Sequence, residues 1–251
     1  MMREKLIALS MVKKGDWNQV HGFLRQDPGL NSIDDRAAAR LANQLSCEAV
    51  TLIDDDYPAM WHEMSKPPFV VYLKGNRALL AKEVVTVVGG KQISKYTKEA
   101  VYALMKQLPV DVSLATGFEL GVEVYANKHT SKRIACIATG FEADELYHKY
   151  QVYHGFSCND LLMSELPPKV KFDLNAYYRS YRLLAELSQV ICVFELPSFD
   201  FRVKYLNYLT EVGKDVVVLP DKNHQQTAGG LGLMNLGARC LMGPMDVLDL
   251  L

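Results

Sequence analysis

Short, continuous apolar runs dominate the chain from residue 84 onward. Most of them are followed by a small-residue turn or by a segment with helical periodicity. Such runs are typical of strands that are buried on both faces, as in a parallel sheet with helices on each side. This pattern predicts an α/β fold with a doubly wound, Rossmann-like, mostly parallel sheet. The predicted strands are residues 84–88, 110–115, 134–138, 161–163, 190–194 and 216–219, and the predicted helices are a segment after Ser94, residues 175–187 and residues 202–212.

The first 50 residues have a different pattern, with apolar side chains at helical spacing. Leu6, Ile7 and Met11 form one such series, and we predict two or three short helices in this segment. The chain is therefore expected to divide into a small helical N-terminal domain at residues 1–52 and the α/β domain at residues 53–251.

The composition is ordinary for a globular protein and carries no strong charge bias. Hydrophobic residues make up 49% of the chain and the formal net charge is -1, so any nucleic-acid site has to be a local basic patch. No stretch approaches the roughly 18–20 apolar residues that a membrane span needs, and the N-terminus lacks the apolar core of a secretory signal. We therefore predict a cytoplasmic protein with no membrane partner.

The sequence offers little that supports metal binding or catalysis. Its five cysteines are scattered and form no C-x-x-C pair, and Cys136 and Cys192 lie in apolar runs where buried thiols are expected. No nucleophile elbow, H-E-x-x-H motif or metal-ligand cluster is present. We expect no cofactor, no metal and no enzymatic activity.

Glycines follow three of the predicted strands, at Gly89-Gly90, Gly117 and Gly140. Ligands of doubly wound sheets bind beyond the carboxyl ends of the strands. A glycine there lets backbone N–H groups approach a phosphate, next to the positive N-terminus of the following helix, although the turn alone also accounts for each glycine. We predict that the three turns converge on one crevice that suits a phosphate-bearing ligand.

Two glycine-rich stretches do not match known nucleotide-binding fingerprints. The turn after the first strand of the α/β domain is neither G-x-G-x-x-G nor a P-loop. Residues 229–232 follow a polar run, not a strand, and we predict a loop that leads to a short helix.

The motifs of the α/β domain resemble those of the DprA/Smf family. Residues 88–96 are similar to the family's VGSR-x-x-S-x-YG segment, with Lys91 at the position of the arginine. Residues 177–188 are similar to FPxRNRIIAGLS and retain Arg182. Comparable segments follow one another in unbroken order over residues 57–250, and this order carries the resemblance.

The sequence also departs from the family pattern. Leu120 stands at a basic position of the family, and Ser180 replaces an arginine. The family's segment of small residues, SG-[SA]-L-[IV]-T-A, corresponds here to residues 200–206. Phe201 and Tyr205 must therefore either fill the space that small residues leave or turn outward.

The resemblance implies a single-stranded-DNA-binding protein that helps to load a RecA-type recombinase during DNA uptake or recombination, and that acts as a homodimer. In such a site cations follow the phosphates and aromatic rings stack on bases, and Phe141, Tyr147 and Tyr150 are candidates for stacking. The predicted DNA-binding residues are Gly89, Gly90, Lys91, Ser94, Gly117, Gly140, Lys149, Lys171, Arg182 and Lys214.

A second interpretation stays open. The chain would then be a degenerate Rossmann-like protein that binds a small nucleotide or only a protein partner. A continuous basic groove beyond the strand ends would favour DNA, whereas a closed pocket of mixed charge would favour this alternative.

Overall fold

The computed structural model describes residues 1–143, 156–172, 174–220 and 224–251. These residues form two compact units. The first unit holds the described residues among 1–77, 137–155 and 162–180, and the second holds those among 78–136, 156–161 and 181–251. The domain boundary predicted at residues 52–53 is a different division and stays a prediction.

The helices and strands below are numbered in chain order over the described residues. The helices are α1 (Met2–Val12), α2 (Trp17–Gln26), α3 (Asp35–Asn43), α4 (Ala59–His62), α5 (Lys95–Gln107), α6 (Val122–Asn127), α7 (Leu174–Leu187), α8 (Arg202–Glu211), α9 (His224–Asn235) and α10 (Met245–Leu248). The strands are β1 (Glu48–Thr51), β2 (Val70–Gly75), β3 (Val84–Gly89), β4 (Ser113–Thr116), β5 (Arg133–Cys136), β6 (Leu161–Ser164), β7 (Val190–Phe194), β8 (Asp215–Val218) and β9 (Arg239–Cys240).

The first unit begins with three helices, as the spacing of apolar residues predicted. Two of them have aspartate N-caps: the Asp16 side chain accepts a hydrogen bond from the N–H of Gln19, and Asp34 accepts one from Ala37. Strand β1 pairs antiparallel with β2 and was not predicted, because four residues with polar ends give too short a pattern to recognise. None of the described helices is both long and apolar enough to span a bilayer.

The second unit is built on a parallel sheet with the strand order β5-β4-β3-β7-β8-β9. Val85 and Val87 of β3 pack with Val101 of α5 on one face. Thr86, which points the opposite way, hydrogen-bonds Ser188 just after α7. Helices thus cover both faces, and the predicted doubly wound α/β fold is confirmed.

The strand order reverses at β3. The chain adds β4 and β5 on one side of β3 and returns to place β7 on the other side, so the carboxyl ends of β3 and β7 flank the switch point. Gly89 of β3 is in register with Phe194 of β7 there. A ligand crevice is expected at this point in such a sheet.

Two predicted elements differ from the structure. The strand predicted at residues 110–115 begins only at Ser113, because a turn precedes it and leaves the Val110 side chain exposed. The prediction of a loop at residues 229–232 was wrong, since these residues lie within α9. The N–H of Gly229 donates to the Leu196 carbonyl at 2.9 Å, so glycine lets this helix approach the backbone after β7.

Candidate functional site

The turn after β3 is built from buried glycines whose backbone is packed closely. A Cβ added to Gly90 would lie 2.2 Å from the Glu195 carbonyl oxygen, and one on Gly89 would lie 2.5 Å from the Cβ of Val122. The Gly90 N–H donates to the Phe194 carbonyl at 3.2 Å. Close packing therefore requires these glycines, and the Gly90 N–H is used inside the protein.

A carboxylate of the protein occupies the N-terminus of the helix that follows this turn. Ser94 caps α5, and its hydroxyl accepts a hydrogen bond from the Thr97 N–H at 3.1 Å. The N–H of Ser94 itself donates to the Glu195 carboxylate, at 2.9 Å to Oε2 and 3.1 Å to Oε1. Dinucleotide-binding folds place a pyrophosphate at this helix N-terminus, so a phosphate bound here would meet the negative charge of Glu195.

Glu195 is held in an unusual backbone conformation. Its φ of 40° lies in the left-handed region, which non-glycine residues adopt rarely and at some cost. The residue is also almost fully buried. The conformation that directs its carboxylate to α5 is thus maintained by the surrounding packing.

Arg202, the first residue of α8, fills the other side of the switch point. Its Nη2 donates to the Gly89 carbonyl at 2.8 Å and its Nη1 donates to Glu123 Oε1 at 2.7 Å. Nε and Nη2 both donate to the Asp200 carboxylate, at 2.9 and 2.8 Å. Nη1 also reaches the hydroxyl of Tyr181 at 3.1 Å, so the guanidinium is extensively hydrogen-bonded by the protein itself.

Glu123 is the buried anionic partner in this network. Besides Arg202, it accepts hydrogen bonds from the Tyr181 hydroxyl at 2.9 Å and from the Glu119 N–H at 3.1 Å. Burial raises the pKa of the Glu123 carboxyl above its usual value, although the Arg202 charge opposes this rise. The interior of the crevice is therefore a closed, mixed-charge network of Arg202, Glu123, Asp200 and Tyr181.

The Gly89 and Gly117 turns meet at this network. A Cβ on Gly117 would lie 2.5 Å from the Tyr181 hydroxyl, and Tyr181 contacts both Glu123 and Arg202. Gly140 belongs to the first unit, where its N–H donates to the Val170 carbonyl at 2.7 Å. Convergence of the third turn on the same crevice stays a prediction.

The predicted basic residues lie in different surroundings. Lys91 is exposed immediately after the Gly89-Gly90 turn, and Arg182 in α7 is half-buried. Lys214 directly precedes β8 and so lies at the amino edge of the sheet, away from Gly89. Burial lowers the pKa of Lys214, whereas Glu186 and Asp215 nearby oppose the shift.

The remaining candidates belong to the first unit or lie outside the described residues. Lys171 is exposed there, and Phe141 is half-buried against the apolar core of that unit. Lys149, Tyr147 and Tyr150 are outside the described residues. Among the residues that the structure describes, no group of histidine, cysteine, aspartate or glutamate side chains could hold a metal ion.

A sequence model described as DNA recombination-mediator protein A matches residues 48–251, which is most of the chain. The chain belongs to this family. The Smf protein of Synechocystis is 26% identical over 215 residues, which cover 82% of this chain and 54% of that protein. The chain thus spans about half the length of that relative.

Solved structures of the DNA recombination-mediator family have the same fold. DNA processing protein A from Streptococcus pneumoniae matches with a TM-score of 0.75 and 21% identity, over 99% of this chain and 93% of that one. DNA processing protein A from Helicobacter pylori, whose structure concerns its single-stranded DNA binding mode, has a TM-score of 0.71 and 19% identity, over 81% of this chain and 95% of that one.

The loss of the family's small residues has a defined structural outcome in this member of the DNA recombination-mediator family. Phe201 and Tyr205 are both half-buried, and it is Arg202, between them, that reaches Gly89. Sequence reasoning missed Arg202 and the role of Glu123. The available signal was an arginine two residues after an aspartate, in a segment where the family has small, uncharged residues.

Proposed function

We propose that this chain binds single-stranded DNA and delivers it to a RecA-type recombinase during DNA uptake or recombination. Membership of the DNA recombination-mediator protein A family supports this function. The related Helicobacter pylori protein has a described single-stranded DNA binding mode, and we propose that the present chain shares this substrate. Action as a homodimer and the absence of enzymatic activity are parts of the same proposal.

The observation that carries the proposal is the occupied N-terminus of α5. Glu195 accepts a hydrogen bond from the Ser94 N–H, and Arg202 donates one to the Gly89 carbonyl. Side chains of the protein therefore occupy both backbone groups beside the turn. A small nucleotide would need to place its phosphates there and displace buried, hydrogen-bonded charges, which is costly. A polyanion that binds along exposed lysines does not have to displace these buried charges.

The closed, mixed-charge interior is the feature that we associated with the alternative function. A protein partner remains compatible with it, whereas phosphate binding in the manner of a dinucleotide fold is disfavoured by Glu195. We therefore place the DNA at the rim of the crevice, where Lys91 is exposed, and not inside it. In this proposal Gly89, Gly90, Gly117 and Ser94 shape the site by packing and capping, and the cations Lys91 and Arg182 contact phosphates there. Lys149 and Lys171 stay predicted DNA contacts.

Lys214 has less support as a DNA-contacting residue than the other cations. It lies at the amino edge of the sheet, and burial works against its charge. We propose that it supports β8 electrostatically through Asp215 and Glu186.

A competition assay tests the proposed function. A fluorescent oligothymidylate is bound to the full chain at low ionic strength and is challenged with unlabelled single strand, with duplex of equal length, and with ATP or NAD. We expect single strand to compete best and the mononucleotides not to compete. Displacement by ATP or NAD at comparable concentration would instead support the nucleotide-binding alternative.

A further inference from the structure

A groove lies at the amino edge of the parallel sheet of the second unit, at the opposite edge from the Gly89 turn. It is bordered by the carboxyl ends of α5 and α6 and by the turns that lead into β4 and β5. Its volume is about 590 Å³, which lies within the range of ligand-binding clefts. We refer to it as the amino-edge groove, whose walls come from residues between 102 and 112 and from residues 128–132.

Three lysines give the amino-edge groove a positive charge. Lys106 is exposed in the last turn of α5, Lys128 is exposed directly after α6, and Lys132 directly precedes β5. In the part of the chain that the structure describes, none of the three forms a salt bridge. Asp111, in the turn before β4, is exposed and is not among the residues that line the groove. In a chain of net charge -1, these lysines are a local positive excess that favours an anionic ligand.

Tyr102 and His129 form an aromatic wall of the groove. The Tyr102 side chain is 44% exposed, and Lys106 Nζ lies 5.6 Å from the centroid of its ring. The His129 ring meets Tyr102 edge-on with centroids 5.0 Å apart, and it also contacts the Tyr125 ring at 4.7 Å. These contacts restrain the wall and one cation before a ligand binds.

The floor of the groove is apolar. Met105 and Val112 are buried beneath it, and Val110 is 85% exposed at its margin. The Val110 carbonyl accepts a hydrogen bond from the Lys132 ammonium group, which joins the turn before β4 to the turn before β5. Apolar surface framed by cations suits a ligand that carries both carboxylates and an apolar side chain.

The helix ends at this groove disfavour a compact anion such as phosphate. Carbonyl groups, and not N–H groups, lack helical partners at the carboxyl end of a helix, and the helix dipole is negative there. In α5 the Leu108 N–H donates to the Leu104 carbonyl at 3.1 Å, which leaves the later carbonyls of the last turn for side chains, water or a ligand. A peptide donates N–H groups to such carbonyls while its carboxylates reach the lysines, whereas a phosphate at neutral pH is mainly an acceptor.

We propose that the amino-edge groove binds an acidic segment of a protein partner. Carboxylates of the segment pair with Lys106, Lys128 and Lys132, and an apolar side chain lies on the floor beside Tyr102. The groove and the crevice where we place the DNA lie at opposite edges of the same sheet, so one molecule can hold a strand and a partner at the same time. This inference goes beyond the proposed DNA binding and does not depend on it.

Peptide binding tests the role of the lysines. The probe is the fluorescein-labelled peptide DDLDDFDD, which the full chain should bind more tightly than the neutral peptide NNLNNFNN, as measured by fluorescence anisotropy. Lys106→Gln/Lys128→Gln should weaken binding of DDLDDFDD by about fivefold or more at an unchanged melting temperature. The matched control Lys98→Gln/Lys204→Gln removes two exposed lysines from α5 and α8 outside the groove and should bind the peptide like the natural chain.

A peptide without large apolar side chains, DDADDADD, tests the aromatic wall. Tyr102→Ala should weaken binding of DDLDDFDD by about threefold or more, because apolar contact area is lost, and should leave binding of DDADDADD unchanged. Tyr208→Ala removes an exposed tyrosine on α8 and is the control that should change neither. Equal losses on the two acidic peptides would overturn the role of Tyr102.

Single-stranded DNA separates this inference from the proposed function. Lys106→Gln/Lys128→Gln should keep the natural slope of log affinity against log salt for oligothymidylate, and a lowered slope would make the groove a DNA contact and overturn the inference. Equal binding of DDLDDFDD and NNLNNFNN by the natural chain, or unchanged peptide binding by the double variant, would also overturn it. Failure of the natural chain to bind oligothymidylate would contradict the proposed function alone.

Discussion

Arg202 donates a hydrogen bond to the Glu123 carboxylate at 2.7 Å, and both side chains are almost fully buried. The pair joins the start of α8 to α6 beneath the Gly89 turn. It stands in a crevice where doubly wound proteins usually bind a ligand. The ion pair therefore belongs to the core of the second unit as well as to its candidate site.

Removal of the cation from this pair should be strongly destabilising. In Arg202→Ala the buried Glu123 carboxylate loses its charged partner, and we expect the free energy of unfolding to fall by about 3–5 kcal/mol. Urea denaturation measures this change. Glu123→Gln added to Arg202→Ala removes the unpaired charge and should restore part of the loss.

The control for this prediction is an exposed arginine. Arg239 pairs with Asp215 at 3.2 Å on the surface, and Arg239→Ala should change the free energy of unfolding by no more than about 1 kcal/mol. Equal effects of the two substitutions would contradict a buried structural role for Arg202.

The glycine of the second turn should be intolerant of any side chain. A Cβ on Gly117 would lie 2.5 Å from the Tyr181 hydroxyl and 2.7 Å from its Cζ. Gly117→Ala must displace Tyr181 from Glu123 and should lower the free energy of unfolding by about 1–3 kcal/mol. Thermal or urea unfolding followed by circular dichroism measures this loss.

Gly232 provides the matched substitution. It lies within α9 and a Cβ there would meet nothing within 4 Å, so Gly232→Ala should leave stability unchanged or raise it by up to about 1 kcal/mol. A Gly117→Ala protein as stable as Gly232→Ala would show that Tyr181 does not pack on Gly117.

The ion pair of Asp160 with Arg133 should make stability depend on acid pH. Burial raises the pKa of the Asp160 carboxyl, but hydrogen bonds from Arg133 and from the Ser157 N–H outweigh it and hold this pKa below its ordinary value. A carboxyl group whose pKa is lowered by folding contributes its full stability at any pH above its pKa in the unfolded chain, which is about 3.9. That stability is lost as the pH falls towards and through the lower pKa of Asp160 in the folded chain.

Asp160→Asn should therefore cost about 2 kcal/mol at neutral pH and progressively less below about pH 4. Urea midpoints measured across this range test the expectation. Asp111→Asn, at an exposed position, is the control and should follow the natural chain at every pH. If the stability difference between Asp160→Asn and the natural chain stays constant down to strongly acid pH, the lowered pKa of Asp160 is contradicted.

The sequence predicted what depends on local pattern and missed what depends on distant pairing. The run at residues 84–88 is apolar and β-branched at nearly every position, and it forms β3 as expected. β9 has only two residues, Arg239 and Cys240, which is too short for any periodicity to reveal. Gly229 looked like part of a loop because its contact with the Leu196 backbone is formed only in the folded chain.

The interior of the candidate site shows the same limit. Arg202 and Glu123 are 79 positions apart, and nothing in either segment indicates that the two charges meet. The glycines at the strand ends indicated that the Gly89 and Gly117 turns lie together, which the structure shows, while convergence of the Gly140 turn stays a prediction. The sequence could not indicate that side chains of the protein, Arg202 and Glu195, occupy the positions next to those turns.

The salt dependence of single-strand binding by the natural chain and by Lys91→Gln is the most direct test of DNA binding at the rim of the crevice. Lys91 is exposed beside the Gly89-Gly90 turn, so its loss should lower the slope of log affinity against log salt by about 0.7 without changing the melting temperature. Lys128→Gln is the control and should keep the natural slope. Absence of salt-dependent binding by the natural chain at low ionic strength, or an unchanged slope for Lys91→Gln, would contradict DNA binding at the rim of the crevice.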